Sequence, residues 1–363
     1  MKLTVKRDSL NTAITAVNRL AVKPSFVVLI AKEGMLSVIA NTETFVRFSV
    51  PAEIEEEGVV GLQYSVFADF LKLRKSTITL THRKKENTLN VESGSRIGVF
   101  ILEVDEEQYL KPDSEWQAKM VLDAKSVGIL KHIVNDVAFC YFLESDNDQA
   151  RLINNKDGFC LQLADNAHCA FYRYNEPLSK SDFEFQCFIK PLQCVLSFLD
   201  EKVKVKISKS MLMFESDQLT TTISASQDNQ IDHIMQSEQF MPDEMYGKGE
   251  IVFNANKFNE VLTSMSVVSD NAEPIQLDVR GTKVKLKVKT NYGVSEDKMT
   301  LDSNEYGDFK KSMSFLLMQN GLECCSAIDE TVKMRVSDNE HYYRLTAESK
   351  LGIVQCLLPF AEV

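Results

Sequence analysis

The sequence has no apolar run approaching the ~20 residues of a membrane-spanning helix, and its amino terminus, Met1-Lys2-Leu3-Thr4-Val5-Lys6, carries charge where a secretory leader has an apolar core. A soluble, cytoplasmic protein is expected. None of its eight cysteines forms a C-x-x-C pair and none precedes Cys140, so they read as reduced, mostly buried small apolar residues rather than zinc ligands or disulfide partners. Motifs that carry chemistry are missing too: there is no G-x-x-x-x-G-K phosphate loop, no H-E-x-x-H helix and no G-x-S-x-G nucleophile turn. His132, His168 and His233 read as ordinary polar residues. No catalytic residue, metal or cofactor is expected, and the chain reads as a non-enzyme. A formal net charge of −11 speaks against non-specific nucleic-acid binding over the whole surface, yet leaves room for a local basic stripe.

What the chain does have is repetition. An extended run followed by a polar starter and an amphipathic helix begins at Leu3-Thr4-Val5, at Met120-Val121-Leu122 and at Ile251-Val252-Phe253, about 117 and about 131 residues apart. With 363 residues and 44% hydrophobic content the chain can bury two or three cores, and this spacing selects three. Tandem like domains build curved bodies that act by geometry rather than through a catalytic centre.

Each domain is itself doubled. In the first, Leu10, Ala13, Ile14 and Val17 recur at helical spacing, and Val66, Phe67, Phe70 and Leu71 mark a second helix over Ser65 to Leu73. The second domain has helices near Ala124 to Val134 and Lys190 to Leu199; the third has them near Ala255 to Met265, capped by Asn254, and Ser314 to Cys325, capped by Ser314. Three extended segments follow each helix, ending with Ile353 to Leu358. The half-repeat is thus a strand, a helix and a three-stranded meander, which defines an α+β fold with helices on one face of each sheet. Proline-containing polar stretches at Glu106 to Glu115 and Gln236 to Gly249 set the expected domains at 1–115, 116–246 and 247–363.

Charge is uneven along this pattern. Arg19 and Lys23 lie in or just after the first helix, Lys72, Arg74 and Lys75 in or just after the second, and Lys125, Lys131, Lys190 and Lys257 in or beside later ones, while acid collects at Glu53-Ile54-Glu55-Glu56-Glu57. Taken alone, lysines of this kind are most often solvated helix faces.

Several segments carry a resemblance. Met1-Lys2-Leu3-Thr4-Val5 with Leu10, the pair Lys23-Pro24, the linker Ser114-Glu115-Trp116-Gln117 around the single tryptophan, and the ending Leu357-Leu358-Pro359-Phe360 together resemble the bacterial sliding clamp, the beta subunit of DNA polymerase III, over the full length. Ala164-Asp165-Asn166-Ala167-His168-Cys169 departs from that family's motif at its partner-peptide pocket, and Ala361-Glu362-Val363 extends past the terminal proline. The resemblance is therefore to a divergent member, with a viral source left open.

The resemblance implies three clamp domains per chain and a head-to-tail homodimeric ring around duplex DNA, tethering a replicative polymerase and opened by a clamp loader. It implies DNA contacts at Arg19, Lys23, Lys72, Arg74, Lys125, Lys131, Lys190 and Lys257. It implies a partner-peptide groove walled by Ala164, Asn166, Cys169, His233 and Ile234 on one side and by Tyr342, Cys356, Leu358, Pro359 and Phe360 on the other. A dimer interface is implied at Ile97 and Val99 against Val267 and Val268. The rival reading is a non-enzymatic, three-domain β-rich structural or scaffold protein without DNA binding, which explains the repeats but not the basic first helices.

Overall fold

The computed structural model describes residues 1–21, 24–105, 107, 109–138, 149–164, 169–226, 246–247, 249–267 and 273–361, the side chains of 136–138 and 164 excepted. One unit, strand–helix–three strands, recurs six times. The first copy is β1 (Lys2–Lys6), α1 (Arg7–Leu20), β2 (Phe26–Lys32), β3 (Met35–Asn41) and β4 (Phe45–Glu56); the second is β5 (Gly58–Gln63), α2 (Tyr64–Ala68), β6 (Thr77–Arg83), β7 (Thr88–Glu92) and β8 (Arg96–Phe100). The third is β9 (Ala118–Leu122), α3 (Ala124–Ala138), β10 (Gln149–Asn155), β11 (Gly158–Ala164) and β12 (Cys169–Tyr174); the fourth is β13 (Phe183–Phe188), α4 (Ile189–Leu196), β14 (Val203–Ile207), β15 (Met211–Glu215) and β16 (Leu219–Ser224). The fifth is β17 (Ile251–Asn254), α5 (Ala255–Met265), β18 (Pro274–Arg280), β19 (Lys283–Lys289) and β20 (Val294–Thr300). After the two-residue β21 (Ser303–Asn304), the sixth is β22 (Phe309–Ser314), α6 (Phe315–Ser326), β23 (Thr331–Val336), β24 (Tyr342–Glu348) and β25 (Gly352–Pro359).

Periodicity explains most of these elements. On α1 the buried residues Leu10, Ala13, Ile14, Val17 and Leu20 form one stripe, with Ala16 beside it, leaving Thr12, Thr15, Asn18 and Arg19 outside. Asn254 caps α5 by accepting from the Lys257 backbone N–H at 3.0 Å, and the Ser314 hydroxyl does the same for Leu317 on α6 at 3.4 Å. The second helix departs from expectation, because its α-helical part stops at Ala68 and Asp69–Lys72 form a 3₁₀ turn. Across that junction the Phe67 ring of the α-helical part meets the Phe70 ring of the 3₁₀ turn edge to face at 5.7 Å.

The described residues form two compact units, Met1–Gly128 with Pro191–Ala225, and Ile129–Lys190 with Ser226–Val363. Strands β9 and β14 to β16 therefore fall in the first unit and β10 to β13 in the second, so the division passes through the middle repeat. Unit 1 holds a twelve-stranded sheet along β8-β7-β6-β1-β4-β16-β15-β14-β9, with β2, β3 and β5 attached through β4. The twelve-residue β4 joins its parts: Met35 to Asn41 pair with Pro51 to Phe45, and from Ala52 onward the partner changes to β1. Proline at the changeover donates no ladder hydrogen bond, which suits a strand that exchanges partners. On its other edge Val46, Arg47 and Phe48 pair with Thr221, Thr220 and Leu219 of β16.

The segment around Trp116 is fastened to this sheet. Gln117 N–H donates to the Ile207 carbonyl at 2.8 Å, Glu215 bridges Lys111 and Lys206, and the Lys206 ammonium lies 5.8 Å from the Trp116 ring centroid.

Unit 2 contains a nine-stranded sheet, β13-β10-β11-β12-β25-β24-β23-β17-β21, and a four-stranded sheet, β20-β19-β18-β22. β25 extends through Pro359, further than the sequence suggested, with Leu358 opposite Tyr343 and Pro359 opposite Tyr342. Among the described residues no helix is long and apolar enough to cross a membrane, and no group of three or more His, Cys, Asp or Glu could hold a metal ion.

Backbone approach is tight where β12 is gripped between β11 and β25. A Cβ on Gly352 would lie 2.3 Å from the Arg173 carbonyl oxygen, and one on Gly158 would lie 2.2 Å from that of Tyr174. Gly352→Ala should therefore destabilise the protein by about 1–3 kcal/mol, the usual cost of forcing backbone apart in a packed site, read as a lowered urea midpoint. Gly34→Ala is a poor control, since Gly34 has φ +75°; Gly128→Ala, where nothing lies within 4 Å, should leave the midpoint unchanged or raised.

Candidate nucleic-acid and partner surfaces

The helices present polar rather than strongly basic outer faces. On α1 these are Thr12, Thr15, Asn18 and Arg19, and on α5 they are Asn256, Lys257, Glu260, Thr263 and Ser264. Arg19, Lys72, Arg74, Lys125, Lys190 and Lys257 are all exposed, whereas Lys131 is half-buried. Lys72 is engaged, its ammonium 2.7 Å from Asp69 in an exposed i,i+3 pair. The Arg74 carbonyl accepts from the Arg7 guanidinium at 3.2 Å, tying the end of the second helical segment to the start of α1. Lys23, Asn166, His233, Ile234 and Val268 lie outside the described residues, as does the side chain of Ala164.

The terminal strand gathers several of the expected groove residues within unit 2. Cys169 of β12 stands opposite Leu357 of β25, and Tyr342 of β24 opposite Pro359. Cys356 and Leu358 point inward at 1% and 5% exposure, and Leu358 lies against Gly321 of α6. Beyond the strand, Phe360 donates its N–H to the His341 carbonyl at 2.9 Å and Ala361 donates to Ser312 at 2.8 Å, so the chain end crosses to β22, an edge of the four-stranded sheet. The Phe360 ring sits 5.0 Å from that of Tyr343, with the Lys311 ammonium 5.6 Å from its centroid and Lys311 also paired with Glu340 at 3.0 Å.

A cavity of about 620 Å³ opens beside this ring, lined by Gln276, Lys310, Ser312, Tyr342, Pro359 and Phe360 among others. It has an apolar wall and a charged rim, which suits a short peptide better than a reaction. The thiols nearby are inert. A hydrogen bond with Cys356, together with complete burial, pushes the Cys325 thiol well up, and burial raises the Tyr343 phenol.

Two of the sheet edges among the described residues carry exposed apolar side chains. β8 ends the twelve-stranded sheet, with Ile97 half exposed, Val99 partly covered and Phe100 at 83% exposure. β20 ends the four-stranded sheet, with Val294 exposed, Tyr292 at 85% in the preceding turn and Val267 at 85% after α5. Exposed apolar side chains on an unpaired edge mark a surface for another chain. Phe100, Tyr292 and Val294 were missed from the sequence. For Phe100 a signal existed, since in Arg96-Ile97-Gly98-Val99-Phe100 the phenylalanine falls on the face opposite Ile97 and Val99, so the strand carries apolar side chains on both faces.

Six strand–helix–meander units joined through sheets of this connectivity constitute the DNA-clamp fold. No protein-family model matches the sequence, and no curated protein matches it either. Among solved structures, the chain is similar over 100% of its length to the beta subunit of DNA polymerase III from Thermotoga maritima, at 18% identity, 99% coverage of that chain and a TM-score of 0.79. It is similar to the DNA polymerase III subunit beta from Pseudomonas aeruginosa at 14% identity, with both chains covered completely and a TM-score of 0.82. The DNA polymerase sliding clamp from Caulobacter crescentus gives 16% identity, complete coverage of both chains and a TM-score of 0.80. The chain therefore has the fold of the DNA polymerase III beta subunit, in a strongly divergent sequence.

Because the Lys72–Asp69 pair is exposed on both sides, Lys72→Ala should change unfolding free energy by less than about 0.5 kcal/mol in urea titration. A larger loss would mean that Lys72 supports the 3₁₀ turn rather than standing free for a ligand.

Proposed function

We propose that this protein is a DNA sliding clamp, a non-enzymatic processivity factor of the cytoplasm that encircles duplex DNA and tethers a replicative polymerase. The observation that carries this reading is the clamp fold along the whole chain. The three clamp domains are 1–115, 116–246 and 247–363, each built from two of the six units. Two copies close head to tail, the β8 edge of one pairing with the β20 edge of the other. Ile97, Val99 and Phe100 face Val267, Val268, Tyr292 and Val294 across that seam, which leaves neither edge exposed.

A ring that slides must hold phosphates without reading bases. Arg19, Lys23, Lys72, Arg74, Lys125, Lys131, Lys190 and Lys257 supply the charge on the helix side, and the neutral Thr12, Thr15 and Asn18 keep each contact weak enough to exchange. A clamp loader opens the seam. Partner proteins dock a short peptide against Tyr342, Pro359 and Phe360, with the segment of Asn166 and the separate segment of His233 and Ile234 forming the rest of the groove, while Cys169, at 2% exposure, backs it from the core. The peptide anchor is aliphatic or aromatic, matching an apolar slot with a charged rim.

Three measurements test this. Light scattering on the purified protein should give a two-chain particle, and the pair Ile97→Asp with Phe100→Asp should give one chain that remains folded by circular dichroism; a parent that is monomeric at all concentrations would refute the ring. Loaded on nicked circular DNA, the protein should stay bound through a high-salt wash and be lost when the circle is linearised. Phe360→Ala should weaken a polymerase-tail peptide about 30-fold, equivalent to about 2 kcal/mol for an aromatic anchor, without changing assembly. Leu358→Ala is the wrong probe here, since a leucine at 5% exposure supports the core and its loss costs about 2–5 kcal/mol of stability.

A further inference from the structure

A concentration of positive charge lies on a sheet rather than on the helices. In β18, β19 and β20 the residues Ile275, Leu277, Val279, Val284, Leu286 and Val288 are buried on one face. Strand alternation places Arg280, then Lys283, Lys285, Lys287 and Lys289, then Lys298, on the opposite face, and Lys310 of β22 joins them opposite Asp278. Asp278 and Glu296 are the carboxylates of that face, with Asp308 at its end capping the Gly281 N–H. Glu296 bridges Lys285 and Lys287 at 2.7 and 2.8 Å, and those two ammoniums hold its carboxyl down at about 2. Asp278 holds Arg280 at 3.1 Å.

Lys283, Lys289, Lys298 and Lys310 have no ion-pair partner among the described residues, in a chain whose formal net charge is −11. Beside Lys283 and Lys298 the sheet end carries a depression of about 680 Å³ that Arg280, Lys285 and Thr300 also line.

We infer that this sheet face is a second nucleic-acid contact surface, one that holds the phosphodiester backbone of a strand lying along the face of the sheet opposite its buried side chains. Consecutive lysines on one face of β19 repeat at about 6.8 Å, and the neighbouring strands add rows of cations about 4.8 Å to either side. The ligand that meets such a comb is a polyanion with regularly repeated charge. The face offers an acidic peptide little to anchor on, since apart from Val294 and Pro274 at its ends it presents no apolar side chain, and protein docking depends on buried apolar or aromatic anchors. Backbone binding needs only the charge, because counterion release supplies the affinity. This inference goes beyond the clamp reading and does not depend on dimer closure, since every residue it uses lies on one sheet.

The test uses the full chain with short linear DNA, a labelled single strand and the matching duplex, whose free ends prevent retention by encirclement. Lys283→Ala, Lys289→Ala and Lys298→Ala together should reduce the salt slope of binding by up to about 2 for the single strand or about 2.7 for the duplex, at 0.7 or 0.9 per lost contact. The form whose loss reaches the value expected for its own slope per contact identifies the strand. The three lysines were chosen because none is a partner of Glu296 or Asp278, so their removal orphans no carboxylate. On the parent protein, acetylation read by mass spectrometry should show Lys283, Lys289 and Lys298 protected by DNA while Lys84 and Lys85 on the β6–β7 turn stay reactive. An unchanged salt slope in the triple variant, or equal acetylation with and without DNA, would overturn the inference. So would protection of these lysines by polyglutamate at concentrations where DNA gives none, which would assign the face to an acidic protein segment. Lys84→Ala with Lys85→Ala serves as the comparison: its salt slope on short DNA should match that of the parent, and an equal fall in slope would overturn the inference by showing that any exposed lysine contributes alike.

Discussion

The constraint on which this structure depends is the need to cover sheet edges. Each strand–helix–meander unit buries one face of its strands under a helix, but it leaves backbone N–H and C=O groups open at its margins, and these must be paired. The chain meets that need by joining units that are far apart in sequence. Val46 to Phe48 of β4 pair with Leu219 to Thr221 of β16, and Cys169 to Tyr174 of β12 pair with Leu357 to Gly352 of β25. These ladders assemble meanders into sheets of twelve and nine strands and explain why the compact units cut through the middle repeat.

The same constraint shapes the functional surfaces. The carboxyl terminus is held because β25 is an interior strand, so that Leu358 serves the core while Pro359 and Phe360 emerge at the edge of a cavity. Two margins, β8 and β20, carry exposed apolar side chains where an unprotected edge would invite aggregation, which is why the proposed seam is placed there. Glycine at 158 and 352 has a comparable role, admitting the β12 backbone closer than any Cβ would allow.

Charge distribution separates this chain from a simple picture of a basic channel. The helices offer scattered cations among threonines and asparagines, and Lys72 already faces Asp69. A dense positive face belongs to the four-stranded sheet, where alternation in Lys283-Val284-Lys285-Leu286-Lys287-Val288-Lys289 sends every lysine outward because every intervening residue is needed in the core. A strand that must bury its apolar face has no choice about where its lysines point.

The sequence by itself determined the repeat, the order of elements within it and the class of fold. Amphipathic periods and helix caps are local properties, and Asn254 and Ser314 mark their helices in the structure as they do in the sequence. The extent of β25, the burial of Cys356 and Leu358, and the pairing of Cys169 with Leu357 were decided only by tertiary structure, because each depends on which distant edge completes the ladder. The change of the second helix to a 3₁₀ turn at Asp69, beside the edge-to-face Phe67 and Phe70 rings, likewise carried no sequence signal. The sheet lysines were visible as an alternating run, yet their meaning was not. Only the neighbouring strands show that Arg280, Lys298 and Lys310 share their face, since side chains brought together by sheet pairing carry no sequence spacing that announces it.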